Sequence, residues 1–293
     1  MLAGQAAEPE RARKPSGAGA VVRLLRPPHW LKNGFVLAAL IFSRSFHDGA
    51  RVRAALWAAV AFSLAASAVY IFNDLWDAAS DRRHPHKRHR PLAAGEISVR
   101  LAVVVLAVLC LLLTGAVLLV PAIAGHVAAY LALSAAYTLW LKHVPWLDIV
   151  ALAAGFFLRV DAGAAAIDVR LSAWMLTATV ALALFLAALK RYSELASHGD
   201  GARPALAGYR ASHLRRAVWA SGAAALGCYA LFVVVARHAL APTLAPVALG
   251  MARYYWLVVH REGGDSPFRL IAHDPWLLLA AAVWVAASII GLW

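Results

Sequence analysis

Charge is scarce in this chain. Asp, Glu, Lys and Arg make up 15% of its 293 residues, against roughly a quarter in an average soluble domain. Acidic side chains are the rarer sign, 15 Asp and Glu against 28 Lys and Arg. Cysteine is almost missing. Cys110 and Cys228 stand alone, each inside an apolar run. That excludes a disulfide framework and a thiolate metal site, and both read as packing residues. The low polar content also excludes a disordered or collagen-like chain.

What is abundant is apolar sequence, at 62%. A water-soluble protein of this length cannot bury so much in one core, so the composition implies an integral membrane protein. Apolar stretches recur at about 33–47, 52–76, 98–119, 122–141, 147–167, 171–192, 212–237, 241–260 and 274–292. Each is near the twenty or so residues that a bilayer requires. The runs are continuous and rich in Leu and Ala, without the alternation of a membrane β-barrel. The expected fold is all-α, with about nine transmembrane helices. The first span is the weakest, because Lys32 and Asn33 press on its start.

With nine spans, the N-terminus shares a side with the connections after spans 2, 4, 6 and 8. Most Lys and Arg fall there, which predicts that this side faces the cytoplasm of a bacterial-type inner membrane. Trp30, Trp76, Trp140, Trp146, Trp174, Trp256 and Trp276 lie near span ends, as an aromatic belt requires. Residues 1–20 are basic and rich in Gly and Pro, with no apolar signal-peptide core after them. They read as a disordered cytosolic tail, and 21–293 as one transmembrane catalytic domain. Nucleic acid is an unsuitable partner, since the basic residues sit in short connections and form no basic domain. A homo-oligomer is compatible with the sequence, which does not set it.

The connection after span 2 concentrates the chemistry. It reads NDLWDAASDRRHPHKRHRPLAAG from Asn73 to Gly95. On a helix of about 100° per residue, Asn73, Asp77, Asp81 and Asp74 fall at about 0, 40, 80 and 100°. One face therefore carries three carboxylates and an amide where the span leaves the membrane. Carboxylates so close repel unless a cation lies between them. Hard oxygen donors suit Mg²⁺, which keeps several waters and binds one or two carboxylates plus substrate phosphates. The basic run that follows, Arg82 to Arg90, supplies donors for the remaining phosphate oxygens. A solvated charged loop explains the cations but not the aligned aspartates.

This segment resembles the first aspartate motif of the UbiA superfamily of membrane prenyltransferases. Three further stretches are similar to the decaprenyl-phosphate phosphoribosyltransferase branch of that superfamily. They are RPPHWLKN (Arg26 to Asn33), YTLWLKHVPWLDIVALAAGFFLRVDAGAAA (Tyr137 to Ala166) and LKRYSEL (Leu189 to Leu195). The resemblance implies a single bundle around a central cavity, open to the cytosol and sideways to lipid. It implies that the connections after spans 2 and 6 cap that cavity. Superfamily members that use prenyl diphosphates carry a second aspartate-rich motif after span 6. Here that connection has Glu194 and Asp200 but no D-x-x-x-D, which fits the phosphoribosyl branch, with Lys190, Arg191 and Glu194 as its signature.

The resemblance thus implies transfer of a 5-phosphoribosyl group from phosphoribosyl diphosphate to a polyprenyl phosphate lipid. Mg²⁺ is expected on Asn73 and Asp77, with Asp81 or Asp74. Lys32, Arg82, Lys87, Arg90, Lys142, Arg159, Lys190 and Arg191 are expected on phosphates, and Tyr137, Asp148 and Glu194 on the rest of the substrates. Several of these carry a plainer reading. Arg159, near mid-membrane, is either a phosphate clamp or the partner of Asp161 or another buried carboxylate. Asp148 is either a ligand for Mg²⁺ or ribose, or an N-cap. Lys32 either reaches into the cavity or snorkels to the interface. Lys190 and Glu194 have the i,i+4 spacing of a helix salt bridge. Ala162–Ala166 is a small-residue packing stripe. Two rival functions are a prenyltransferase acting on an aromatic acceptor and a non-enzymatic carrier or scaffold for polyprenyl phosphates.

Overall fold

The structure is a computed structural model and describes residues 17–83, 87–198, 206, 208–260 and 273–292. His84 and His86, Asp200 and Arg203, and residues 1–16 of the expected tail lie outside the described residues. Among the described residues ten α-helices follow in order: α1 Gly17–Leu25, α2 Ala38–Phe42, α3 Gly49–Asp81, α4 Val99–Leu119, α5 Ala124–Leu139, α6 Leu147–Ala166, α7 Ala173–His198, α8 Ala211–Ala236, α9 Leu244–His260 and α10 Pro275–Leu292. No strand occurs among the described residues. Helix α1 begins at Gly17, inside the stretch expected as a tail, because Ala20 and Leu24 are buried against α3.

Among the described residues, seven helices are long and apolar enough to cross a bilayer. They correspond to seven of the nine expected spans. The first span is not one α-helix: a 3-10 helix, Pro27–Leu37, precedes the five residues of α2. Pro27 and Pro28 occupy its first turn and Gly34 lies within it. The eighth span is shortened to α9, because a 3-10 turn containing Pro242 occupies His238–Thr243. The all-helical membrane fold stands, and the count of nine is approximate.

Helix α3 is the beam that carries the site. Asp48 caps it, accepting from Ala50 N at 2.9 Å and Arg51 N at 3.3 Å. Its 33 residues extend about 50 Å, against a hydrocarbon core of about 30 Å. Its last turns carry Asn73, Asp74, Asp77 and Asp81. Helix α6 is built from small residues and packs against the 27–37 segment. A Cβ on Gly163 would collide with the carbonyl of Val36, so only glycine allows this approach. Helix α4 turns large apolar side chains outward, with Leu111 72% and Leu118 73% exposed, as a lipid-facing helix does. Cys110 is exposed on that helix and Cys228 half-buried on α8, so Cys110 is not a core packing residue. All seven tryptophans expected in the belt are exposed.

Candidate active site

A cavity of about 480 Å³ lies between the 27–37 segment, α3, α5 and α6. Among the described residues, α7 to α10 contribute nothing to its lining. At the C-terminal end of α3, Asn73, Asp77, Ser80 and Asp81 face it. Asn73, Asp77 and Asp81 are each one turn apart and Ser80 adjoins Asp81, so the expected helical face is the cavity face. Asp74, also expected there, does not line the cavity and is 1% exposed; Asp81, which does line it, is 2% exposed. It accepts from Arg26 at 2.6 and 2.8 Å and from Arg90 at 3.2 Å. Asp74 is thus an anchor for two basic segments, the chain before span 1 and the loop after span 2.

Cations close the acidic face. Lys142 donates to both oxygens of Asp77, at 2.8 and 2.9 Å. Arg90 donates to Asp81 at 2.6 Å. Both cations line the cavity, as do Lys32 and Lys87. Arg82 does not: it caps α3 and is exposed to solvent, because the helix ends there and turns it outward. Burial first, then the charges of Lys190, Arg159 and Arg26, lowers the Lys32 ammonium to about 8.

Arg159 lies deeper, about 18 Å along α6 from its start, and is 7% exposed. Its Nε donates to Asn33 Oδ1 at 2.9 Å, Nη1 to the Gly155 carbonyl at 2.8 Å and Nη2 to Tyr130 Oη at 3.0 Å. The guanidinium also sits 4.7 Å from the Tyr130 ring centroid. Every one of these partners is neutral. Asp161, the alternative partner weighed from sequence, pairs with His126 at 3.1 Å. Among the described residues no carboxylate lies within ion-pair distance of Arg159, so a full positive charge faces the cavity.

Four expected site residues lie elsewhere. Arg191 is 2% exposed and reaches Asp148 at 2.6 Å, Glu194 at 2.5 Å and Tyr137 Oη at 3.2 Å. Asp148, 1% exposed, also accepts from the Tyr209 hydroxyl and from Ile149 N. Tyr209 in turn accepts from Trp146 N at 2.8 Å. Burial and the hydrogen bond to Asp148 push the Tyr209 phenol up. This network ties the starts of α6 and α8 to the end of α7. Asp148, Arg191 and Glu194 satisfy one another and do not line the cavity. Lys190 stands 4.0 Å from Glu194 as an i,i+4 neighbour and is also absent from the lining. Tyr137 joins the two regions, lining the cavity and accepting from Arg191.

The sequence reading missed Arg26, Tyr70, Tyr130 and His143 in the lining. His143 adjoins Lys142, which was a usable signal. Tyr130 lies in an ordinary apolar run and gave none. Among the described residues no three His, Cys, Asp or Glu side chains group as a metal site. The cavity face does offer two carboxylates and an amide one turn apart. Such hard oxygens fit Mg²⁺, which fills its remaining positions with water and substrate oxygens.

The UbiA prenyltransferase family model matches residues 34–273. The chain belongs to the UbiA prenyltransferase family. It is 35% identical to the decaprenyl-phosphate phosphoribosyltransferase of Mycobacterium tuberculosis, over 91% of this chain and 92% of that one. It is 33% identical to the same-named protein of Corynebacterium glutamicum, over 98% and 92%. The fold matches a UbiA homologue from Archaeoglobus fulgidus bound to GPP and Mg²⁺, with a TM-score of 0.72 and 18% identity over 93% and 99% of the two chains. As the UbiA resemblance implied, a helical bundle encloses the cavity. The connection after span 6, expected as part of a UbiA cap, adds no described residue to its lining.

Proposed function

We propose that the chain transfers the 5-phosphoribosyl group of phosphoribosyl diphosphate to a polyprenyl phosphate and releases diphosphate. The observation that carries this reading is identity above 30% with decaprenyl-phosphate phosphoribosyltransferases along nearly the whole chain. The cavity supports it, with an acidic face at one end and an unneutralised Arg159 deeper in. A phosphate oxygen of the lipid attacks C1 of the ribose. The bond from C1 to the diphosphate oxygen breaks, and both electrons leave with the diphosphate. The attacking phosphate is already ionised, so no protein base is required.

Asn73, Asp77 and Asp81 would hold Mg²⁺. Bound there, the ion would neutralise charge that builds on the departing diphosphate. Lys142, Arg90 and Lys87 border the same face and add donors for phosphate oxygens. We place the acidic end toward the cytoplasm of a bacterial inner membrane, where a soluble anionic donor is at hand. The Lys/Arg distribution supports that orientation.

Phosphoribosyl diphosphate with Mg²⁺ is expected to raise the melting temperature of the purified protein. Selective binding to the native state contributes about 2.7 kcal/mol at a hundredfold excess over Kd. Ribose 5-phosphate alone should do much less. Stabilisation by geranyl diphosphate and not by phosphoribosyl diphosphate would replace this reading with prenyl transfer.

Lys32 gives a pH prediction. Phosphate monoesters lose their second proton near pH 6, so above pH 8 their charge no longer changes. Lys32, with its ammonium at about 8, loses charge in just that range. KM for a phosphate-bearing substrate should rise between about pH 7.5 and 9, and the rise should vanish in Lys32→Arg, which stays charged. A rise that persists in Lys32→Arg assigns the titration to another group.

A further inference from the structure

The guanidinium of Arg159 has five N–H donors, and three are spent on Asn33, Gly155 and Tyr130. Two remain, one on each terminal nitrogen, in a side chain that lines the cavity. What holds the plane of this group is Asn33. Its Oδ1 accepts from Nε, and its Nδ2 donates to Ser63 Oγ at 3.1 Å. Ser63 donates onward to the Ala59 carbonyl at 2.8 Å. Asn33 is 2% exposed and does not line the cavity. It sits on the 3-10 segment that Gly163 draws against α6. The relay therefore runs from α3 through the first segment to α6.

An amide at this position does two things at once. It accepts from Nε and so orients the guanidinium, and it adds no negative charge. Aspartate would orient equally well and cancel the charge. A neutral partner set around a buried arginine is costly unless the charge is reserved for a ligand.

The surroundings say which anion. Phe156 and Tyr130 flank the guanidinium, and Phe35 packs on Phe156 at 5.3 Å between ring centroids. Leu133, Leu152 and Val69 line the cavity as well. Such walls suit a phosphate that carries an apolar chain better than a sugar phosphate that enters from water. We propose that Asn33 is a positioning residue that presents Arg159, with its charge intact, to the phosphate of the lipid acceptor. This rests on the proposed phosphoribosyl transfer, in which that phosphate is the nucleophile.

The test is Asn33→Asp in the full-length protein, assayed with a polyprenyl phosphate and phosphoribosyl diphosphate varied in turn. The substitution is nearly isosteric. It keeps the acceptor for Nε, and the Ser63 hydroxyl can turn to donate to the new oxygen. We expect KM for the lipid phosphate to rise about tenfold or more, since a charge-assisted hydrogen bond is lost to an internal ion pair. KM for the donor should be little changed, and the melting temperature without substrate should hold or rise. Asn33→Gln, neutral but longer, serves as the second variant. It should misplace the guanidinium and also raise the lipid KM, with a smaller effect than Asn33→Asp.

An unchanged lipid KM in Asn33→Asp overturns the proposal. So does a rise confined to the donor KM, which would assign Arg159 to the ribose 5-phosphate. A fall in melting temperature with both KM values unchanged would reduce Asn33 to a structural residue. If the wild-type protein transfers no phosphoribosyl group at all, the failure lies with the proposed reaction and not with Asn33.

Discussion

Asp77→Asn is expected to abolish turnover while leaving a folded, extractable protein. Asp77 is the central donor of the cavity face, one turn from Asn73 and one from Asp81 on α3. Lys142 holds both of its oxygens. An amide keeps the shape but is a poor ligand for a hard cation and cannot balance a lysine. The loss falls on groups that stabilise developing charge, where removing one commonly costs a hundred- to a thousandfold. The residue lies on the wall of a cavity, so the freed Lys142 keeps access to water and the fold should survive. The checks are the transfer rate at limiting Mg²⁺ and elution as a single species in detergent. Near-normal turnover at limiting Mg²⁺ removes Asp77 from the metal set.

Arg191→Leu is expected to act in the opposite way, on the fold and not on the chemistry. Arg191 is fully enclosed, and its guanidinium answers Asp148, Glu194 and Tyr137 together. Leucine leaves Asp148, 1% exposed, without its cation. Breaking a buried pair from one side costs about 3–5 kcal/mol. A large drop in melting temperature should follow in the absence of any substrate. Arg191→Lys should rescue little, because an ammonium cannot spread donors over three directions. Arg159→Leu is the contrast. It strands no carboxylate, so it should lower the melting temperature far less and weaken phosphate binding more. Equal losses of stability in the two variants would contradict this division.

That division was not legible in the sequence, while the face of α3 was. Asn73, Asp77 and Asp81 share one side of a helix by spacing alone, and no tertiary contact is needed to say so. The wheel could not say what covers the neighbouring angle. Asp74 lies next to that face, yet Arg26 and Arg90, which themselves line the cavity, pair with it and cover it. The long apolar runs of α3 to α8 announced their helices by hydropathy. The first segment did not announce its 3-10 winding. Arg159 bonds to Asn33 across 126 positions and Arg191 to Asp148 across 43. Neither spacing leaves a periodic trace. Both arginines stand in apolar helices, and only their partners tell a ligand-facing cation from a structural one.

The most direct measurement supplies purified protein with phosphoribosyl diphosphate labelled in the ribose, a polyprenyl phosphate and Mg²⁺, and then extracts the lipids. The expected result is label in the organic phase that requires both the lipid phosphate and the metal, with one diphosphate released per label transferred. Label that stays in the aqueous phase, while the same protein moves a prenyl group from its diphosphate to an aromatic acceptor, would contradict the account.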